Sequence, residues 1–207
     1  MKYFTNPRQI EAQSMEIIEG LAINLPADPL ARAVVKRIIH TTGDPQYAEL
    51  VLYSKGALEA GQKALQQGAN IITDVNLVKA GISAARLNNL GGHLICFLSH
   101  PEVVKKAQLT GKTRAMTAIE HAEAHLANSI VAIGNAPTAL FRLLEIIEEK
   151  PDLTPALIVG TPVGFVGAAE SKELLAKMPY PFITVQGNKG GSMVAASIIN
   201  ALLYSLS

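Results

Sequence analysis

The chain contains a single cysteine, few charged side chains and no run of basic residues. Because Cys96 is alone, the 207 residues cannot form an internal disulfide, and its neighbours Ile95 and Phe97 predict that it packs as a small hydrophobe. Lys, Arg, Asp and Glu together make up 17% of the residues, and the formal net charge is +1. This balance argues against the broad positive surface on which nucleic-acid binding depends.

The sequence also lacks the features of an exported or membrane-spanning protein. No basic segment followed by an apolar run begins the chain, so we expect no secretory signal and a cytoplasmic protein. The 18 residues from Gly190 to Ser207 carry no formal charge and are long enough for a membrane span. Ser192, Ser197 and Asn200 within this segment favour a buried helix of a globular protein instead.

Apolar segments alternate with helical patterns along the whole chain. Short apolar runs, typical of buried strands, lie at 50–53, 70–75, 93–99, 130–133, 157–159 and 182–185. Helical spacing lies between them, for example at 54–68, 113–126, 137–149 and 170–177. This alternation predicts one α/β domain over residues 1–207, with a doubly wound, mostly parallel sheet covered by helices on both faces. Because 49% of the residues are hydrophobic, more than a monomer of this size usually buries, we also expect a homodimer.

His40 is the most informative single residue. Asp28 and Pro29 are typical of a helix start, apolar residues then repeat at helical spacing, and Gly43 is typical of a helix end. His40 is therefore predicted in the last turn, beside unpaired carbonyls and the negative end of the helix dipole. Histidine is suited to proton exchange near neutral pH, although it could also simply cap those carbonyls.

Three glycine-bearing turns follow the last three predicted strands, beginning at Gly134, Gly160 and Gly187. In an open α/β sheet such turns gather at one edge, where ligands usually bind and free N–H groups favour anions. The third turn contains Lys189, but the lysine precedes Gly190 and Gly191 and so departs from the phosphate-loop pattern. Ordinary β-to-α turns remain the alternative.

Other candidate residues are isolated. Ser14 is a hydroxyl on an apolar helix stripe, where it either contacts a ligand or bonds its own helix. Asn76, like Asp74, falls at the predicted ligand edge of the sheet. Arg114 opens a helix and could bind a carboxylate through two hydrogen bonds, or simply be exposed. His121 and His125 lie one turn apart, yet without a recognised ligand order we interpret them as a solvated polar face and predict no metal site.

Five ordered blocks resemble the precorrin-8X methylmutase family of cobalamin biosynthesis, which includes the cobalt-precorrin-8 enzymes. They are Tyr3-Phe4-Thr5-Asn6-Pro7 with Ser14-Met15, I-I-H-T-T-G-D ending at Asp44, T-D-V-N ending at Asn76, I-G-N-A-P-T-A-L ending at Leu140, and G-T-P-V-G-F-V ending at Val166 with Glu170-Ser171-Lys172. The resemblance extends from Tyr3 to Asn200.

The resemblance implies a flavodoxin-like fold and a homodimer with its site near the subunit interface. It implies an isomerase that moves a methyl group from C11 to C12 of a corrin-forming tetrapyrrole, giving hydrogenobyrinic acid or its cobalt counterpart. No cofactor is expected, since any cobalt belongs to the substrate. The catalytic histidine of the family corresponds to His40 and its substrate-contacting serine to Ser14. We expect further substrate contacts from Arg8, Thr41, Thr42, Asn76, Arg114 and Lys189.

Two functions of other classes remain open. A tetrapyrrole carrier would use the same crevice but would tolerate loss of His40. A nucleotide-dependent transferase would use the Lys189 turn and would be stabilised by nucleotide phosphates.

Overall fold

A six-stranded sheet forms the centre of the computed structural model, which describes residues 4–206; Tyr3, the first residue of the opening block, lies outside them. The strands are β1 (Val51–Tyr53), β2 (Ile71–Thr73), β3 (Leu94–Ile95), β4 (Ile130–Ile133), β5 (Leu157–Gly160) and β6 (Phe182–Val185). Their order across the sheet is β1-β6-β5-β4-β2-β3, and all pairs are parallel except β1 with β6. The predicted mostly parallel α/β sheet is confirmed.

Eleven α-helices are formed by the described residues. They are α1 (Pro7–Leu21), α2 (Pro29–Thr42), α3 (Tyr47–Leu50), α4 (Ala57–Gln66), α5 (Asn76–Gly81), α6 (Ala84–Asn89), α7 (Pro101–Thr110), α8 (Arg114–His121), α9 (Pro137–Glu149), α10 (Ala168–Lys177) and α11 (Ser192–Tyr204). Two short 3-10 helices, Glu123–His125 and Pro151–Leu153, follow α8 and α9.

Successive residues of the central strands enter two different cores. In β4, Ile130 and Ala132 pack with α2, α4 and α11, whereas Val131 and Ile133 pack with α8 and α9. All four side chains are fully buried, because strand side chains alternate between the two faces of a sheet and both faces are covered. The helices thus lie on both sides of the sheet, as predicted.

The caps of α2 form where the sequence predicts them. The carboxylate of Asp28 accepts a hydrogen bond from the N–H of Ala31 at 2.7 Å, and Pro29 occupies the first helical position. Gly43 ends the helix with φ of 68°, and its N–H donates to the carbonyl of Ile39. Because a left-handed residue is usually glycine, Gly43 fixes where α2 stops and hence where His40 lies.

Several predicted elements are shorter in the structure, among them the helix predicted at 54–68, which spans Ala57–Gln66, and the strand predicted at 70–75, which spans Ile71–Thr73. The strand predicted at 93–99 is formed only at Leu94–Ile95, because it pairs with β2 alone at the sheet edge before the chain turns towards Pro101. Cys96 is accordingly half-buried rather than a core residue. The helix predicted at 113–126 ends at His121 and continues as a 3-10 turn.

The uncharged C-terminal segment forms α11, which is buried along most of its length against α2, α4, α5 and the sheet. It has 13 residues. No helix among residues 4–206 is long and apolar enough to cross a membrane.

Candidate active site

His40 lies in the last turn of α2 with its side chain exposed. The carbonyls around it are bonded to other groups: the hydroxyl of Thr41 donates to Arg37 at 2.8 Å, and that of Thr42 donates to Ile38 at 2.9 Å. Among residues 4–206 the imidazole makes no hydrogen bond. A purely capping role for His40 is therefore wrong, and the ring is available to a ligand.

A cavity of about 690 Å³ opens beside His40. It lies between the first turns of α1, the end of α2 and the end of α11. Its lining consists of Pro7, Ile10, Glu11, Arg37, His40, Arg86 and Tyr204. This volume is within the usual range of small-molecule sites.

The wall of this cavity is cationic. The guanidinium carbons of Arg37 and Arg86 lie 4.9 and 4.7 Å from the ring centroid of Tyr204, so both cations stack on one aromatic ring. Arg37 also forms an ion pair with Glu11 at 2.8 Å. With two guanidinium groups against one carboxylate, the lining favours an anionic ligand next to His40.

A smaller cavity of about 140 Å³ continues from His40 between α2, α5 and α11. Thr41 lines it together with Asn200, whose side-chain amide donates to the carbonyl of Gly81 at 2.8 Å. His40 and Thr41 are the two predicted site residues that the structure brings to a common cavity.

Ser14 and Arg8 lie on α1, the helix that contributes Pro7, Ile10 and Glu11 to the cavity of about 690 Å³, but neither of them lines it. The Ser14 hydroxyl donates to the carbonyl of Ile10 at 2.7 Å, one turn earlier in its own helix. Arg8 is exposed in the first turn of α1, where its N–H donates to the Asn6 cap. Their predicted contacts with a substrate remain predictions.

Lys189 contacts the loop that follows the His40 helix. Its ammonium donates to the carboxylate of Asp44 and, at 2.6 Å, to the side-chain oxygen of Gln46. The Lys189 interaction lowers the pKa of the Asp44 carboxyl, with a smaller contribution from the N–H of Gln46. This places Lys189 at the end of α2 and already paired, so a substrate carboxylate would have to compete with Asp44. Thr42 is exposed in the same segment.

The buried side chain of Lys172 binds the backbone of the turn that contains Lys189. It is 2% exposed, and its ammonium donates to the carbonyl of Lys189 at 2.5 Å. Burial lowers the pKa of Lys172 to about 8, because the charged ammonium is poorly solvated there. Lys172 therefore connects α10 to the turn before α11.

The carboxylate of Asp74 binds the N–H groups of the first glycine turn, which begins at Gly134. Its buried carboxylate accepts hydrogen bonds from Gly134, Asn135 and Ala136 at 3.1, 2.9 and 2.8 Å. Burial raises the pKa of the Asp74 carboxyl, and the three N–H donors act in the opposite direction. The turn that could have bound a ligand's anionic groups is thus occupied by the protein's own carboxylate.

The second and third glycine turns bond to each other. The N–H of Gly164 donates to the carbonyl of Asn188 at 3.2 Å, and that of Gly191 donates to Thr161 at 2.8 Å. A side chain at Gly190 would come within 2.3 Å of the Thr161 carbonyl oxygen, and the φ of Gly190 is 148°. These glycines serve close packing of the two turns.

Asn76 and Arg114 lie outside the lining of both His40 cavities. The Asn76 amide donates to the Ser99 hydroxyl at 3.3 Å, at the carboxyl end of β2. Arg114 begins α8, on the opposite side of the sheet from α2 and α11, and is exposed. Their predicted contacts with a substrate remain predictions.

Sequence reasoning missed four residues around this site: Arg37, Arg86, Lys172 and Tyr204. A signal was present for Arg37, since a residue three positions before His40 on a helix shares its face. Arg86 and Tyr204 come from distant segments, and no local pattern connects them to His40. Lys172 belongs to one of the five blocks that resemble the family, but its burial depends on tertiary packing, which the sequence pattern does not reveal.

The site and fold together define an α/β protein in which an exposed histidine, His40, lies beside a cationic cavity. The sequence profile of the precorrin-8X methylmutase family matches residues 9–205. The cobalt-precorrin-8 methylmutase of Salmonella typhimurium is 44% identical, over 100% of this chain and 99% of that protein. The precorrin-8X methylmutase of Pseudomonas aeruginosa is 43% identical, over 97% of this chain and 96% of that one.

A solved structure agrees with this result. The precorrin-8X methylmutase of Thermus thermophilus superposes with a TM-score of 0.87 at 39% identity, covering 95% of this chain and 96% of that one. The chain belongs to the precorrin-8X methylmutase family.

Proposed function

We propose that this protein is an isomerase that moves a methyl group from C11 to C12 of precorrin-8X or cobalt-precorrin-8, giving hydrogenobyrinic acid or its cobalt counterpart. Membership of the family supports the reaction class. The single observation that supports the mechanism is His40, whose imidazole is exposed, unbonded among the described residues and beside a cavity of about 690 Å³.

The proton step follows from the chemistry of an isomerisation. The His40 imidazolium gives a proton to a ring nitrogen of the substrate, which draws electron density away from the carbon that carries the methyl group. The methyl group moves to the neighbouring carbon, and the neutral imidazole takes a proton back. Substrate and product have the same atoms and electrons, so the step needs no redox cofactor, and any cobalt belongs to the substrate.

The carboxylate arms of the substrate suit the cationic side of the cavity. Arg37 and Arg86 lie next to His40, and guanidinium groups bind carboxylates through paired hydrogen bonds. We propose these two as the nearest donors, with Thr41 and Ser14 at the edge of the same region. Contacts from Arg8, Thr42, Asn76, Arg114 and Lys189 are part of the proposal and would need the substrate to extend beyond the cavity.

We also propose that the enzyme is a homodimer and that a second copy helps to enclose the site. Among the described residues, large apolar side chains of α1 are exposed next to the cavity. The cytoplasmic location remains a prediction from the sequence.

The test is anaerobic incubation of the purified protein with precorrin-8X and, separately, with cobalt-precorrin-8, following the visible spectrum of the rearranged product. His40→Gln should lower the turnover rate by roughly 10²–10⁴, the usual contribution of one general acid. His93→Gln is the matched control, because His93 is also exposed but lies outside the lining of the His40 cavity. The better of the two substrates would establish the natural metal state.

Four outcomes are informative. Turnover by wild type and His93→Gln, with loss in His40→Gln, supports the isomerase and its proton step. Full turnover by His40→Gln would refute the role of His40. Tight binding without conversion of either substrate would favour a carrier, and neither binding nor conversion would contradict both.

A further inference from the structure

A cluster of three metal-binding side chains lies on the side of the sheet opposite His40. His100, Glu102 and His121 each offer a ligand atom, and these atoms lie within 4.8 Å of one another. His100 precedes α7, Glu102 is in its first turn, and His121 ends α8. Folding thus brings the start of α7 close to the end of α8, a proximity that the sequence alone does not show.

Packing around Phe97 holds the two histidines in place. The ring centroids of His100 and His121 are 4.5 Å apart, and Phe97 contacts His121 edge-on at 4.9 Å. Phe97 itself packs against the core formed by α8 and α9. Both rings therefore have a fixed neighbour, which preorganises a site for an ion.

One polar atom of this cluster lacks a hydrogen-bond partner within the described part of the protein. The Nδ1 atom of His100 is buried and has no hydrogen-bond partner among residues 4–206. A buried polar atom without a partner is costly, and such atoms are rare in native structures. The Glu102 carboxylate is exposed and lies 3.9 Å from Nδ1 of His121. A small movement of this glutamate side chain would let both groups bind the same ion.

We propose that His100, Glu102 and His121 form a binding site for a divalent transition-metal ion of the Zn²⁺ type. Two imidazoles and one carboxylate are a common ligand set for Zn²⁺, and water would complete the coordination. Glu102 is 77% exposed in its side chain, so an ion can enter from solvent. The ion ties the start of α7 to the end of α8.

The site is separate from the His40 cavity, because none of its three residues lines that cavity. His40 belongs to the layer of α2 and α11, and His121 belongs to the layer of α8 and α9 across the sheet. The sequence alone led us to interpret His121 as part of a solvated polar face. Its neighbours in the folded chain, His100 and Glu102, change that interpretation. His125 remains exposed, with its ring stacked 5.7 Å from Phe97.

The experiment measures metal binding directly on untagged, full-length protein treated with a chelator and then dialysed. Zn²⁺ is titrated by calorimetry, and Co²⁺ is titrated as a spectroscopic probe whose visible absorption reports its ligands. Wild type should bind one equivalent of Zn²⁺. His100→Gln and His121→Gln should each weaken binding by more than the roughly 10–100-fold that loss of an outer-shell partner causes.

Two controls make the result decisive. His93→Gln removes an exposed histidine outside the cluster and should leave the affinity unchanged. Glu102→Gln keeps the size of the side chain and should weaken binding while circular dichroism stays that of wild type. Absence of a one-equivalent Zn²⁺ site in wild type would overturn the proposal. Equal weakening by His93→Gln would also overturn it, since binding would then be adventitious, and the cluster would be only a histidine–glutamate ion pair.

Discussion

Lys172 lies in surroundings that a lysine rarely occupies. Lysine is rarely buried, yet this one is 2% exposed and its ammonium is held by a single backbone carbonyl, that of Lys189. Lys189 in turn binds Asp44, next to the end of the His40 helix. A buried cation thus positions the turn that contacts the active-site helix.

The pKa of Lys172 predicts a pH dependence of stability. Its folded pKa of about 8 lies below the value of 10.5 expected in the unfolded chain, because burial disfavours the charged form. Between these pH values the unfolded chain binds the proton more strongly, so the free energy of unfolding should rise with pH, by up to roughly 3 kcal/mol. Urea unfolding at pH 8 and pH 10.5 measures this rise.

Replacement of the lysine isolates the effect from other groups that titrate in the same range. In Lys172→Met the part of the rise due to Lys172 should be absent, whereas Lys177→Met, which removes an exposed ammonium of the same helix, should keep it. Parallel curves for wild type and Lys172→Met would contradict the assignment of the lowered pKa to burial of this side chain.

At the residue scale, His40 could be predicted, and Arg37 could have been predicted from its place on the same helix face, but Arg86 could not. Asp28, Pro29 and Gly43 determine the start and end of α2 through local hydrogen bonds, so the place of His40 is encoded within its own helix. Arg86 reaches the cavity because α6 and α11 pack near one another in the folded chain, as the shared contact with Tyr204 shows. Such contacts depend on tertiary packing, which periodicity does not contain.

At the scale of elements, Asp74 joins two parallel strands and one helix. It follows β2, and its carboxylate receives three N–H groups that lead from β4 into α9. Free N–H groups at a helix start have no partner within the helix, so a carboxylate there satisfies them and interacts favourably with the helix dipole. The Asp74 side chain therefore fixes the turn at the carboxyl edge of the sheet.

Asp74→Asn should destabilise the protein without changing its fold. The amide keeps one oxygen but places an N–H₂ group against backbone donors, and a buried unsatisfied donor costs about 1–3 kcal/mol. The midpoint of urea unfolding, read with an unchanged m-value, measures the loss. Asp152→Asn, a change at an exposed aspartate, should stay within about 0.5 kcal/mol of wild type. If Asp74→Asn left the free energy of unfolding unchanged, the three hydrogen bonds would contribute little to stability.

The same scale explains which strands were predicted well. Strands β4 and β6 match the predicted ranges 130–133 and 182–185, because each is buried on both faces and is apolar in sequence, apart from the buried Thr184 of β6. Strand β3 lies at the sheet edge with a neighbour on one side only, and the apolar run 93–99 leaves the sheet after Ile95. The apolar residues beyond it pack as a loop, which the pattern cannot distinguish from a strand.

At the scale of the whole molecule, α1 presents a second apolar face to solvent. Ile18 is the one residue of the helix that is buried, whereas Ile10, Ile17 and Leu21 are 42%, 53% and 60% exposed. Their spacing of seven and four residues places these three side chains on one stripe. Exposed apolar stripes of this kind mark interaction surfaces, and Ile10 also lines the His40 cavity.

We expect a two-fold dimer in which the α1 stripes bury one another and close the cavity. Ile17→Glu introduces a carboxylate that occurs twice in a symmetric interface, at a cost of about 3 kcal/mol or more, which would weaken the dimer about 100-fold. Because Ile17 is exposed within the subunit, thermal unfolding of the monomer should change little. Sedimentation velocity over a dilution series measures the dissociation constant.

Gln13→Glu is the matched control, since it adds the same charge at an exposed polar position of α1 and should leave the dimer intact. If the cavity needs the second copy, Ile17→Glu should also raise KM for the substrate, and the KM should recover as protein concentration restores the dimer. A monomeric wild type at tens of micromolar would refute the dimer. An Ile17→Glu protein that remains dimeric would instead place the interface elsewhere, and the exposed Phe165 and Val166, which are 90% and 89% accessible, would be the next surface to test.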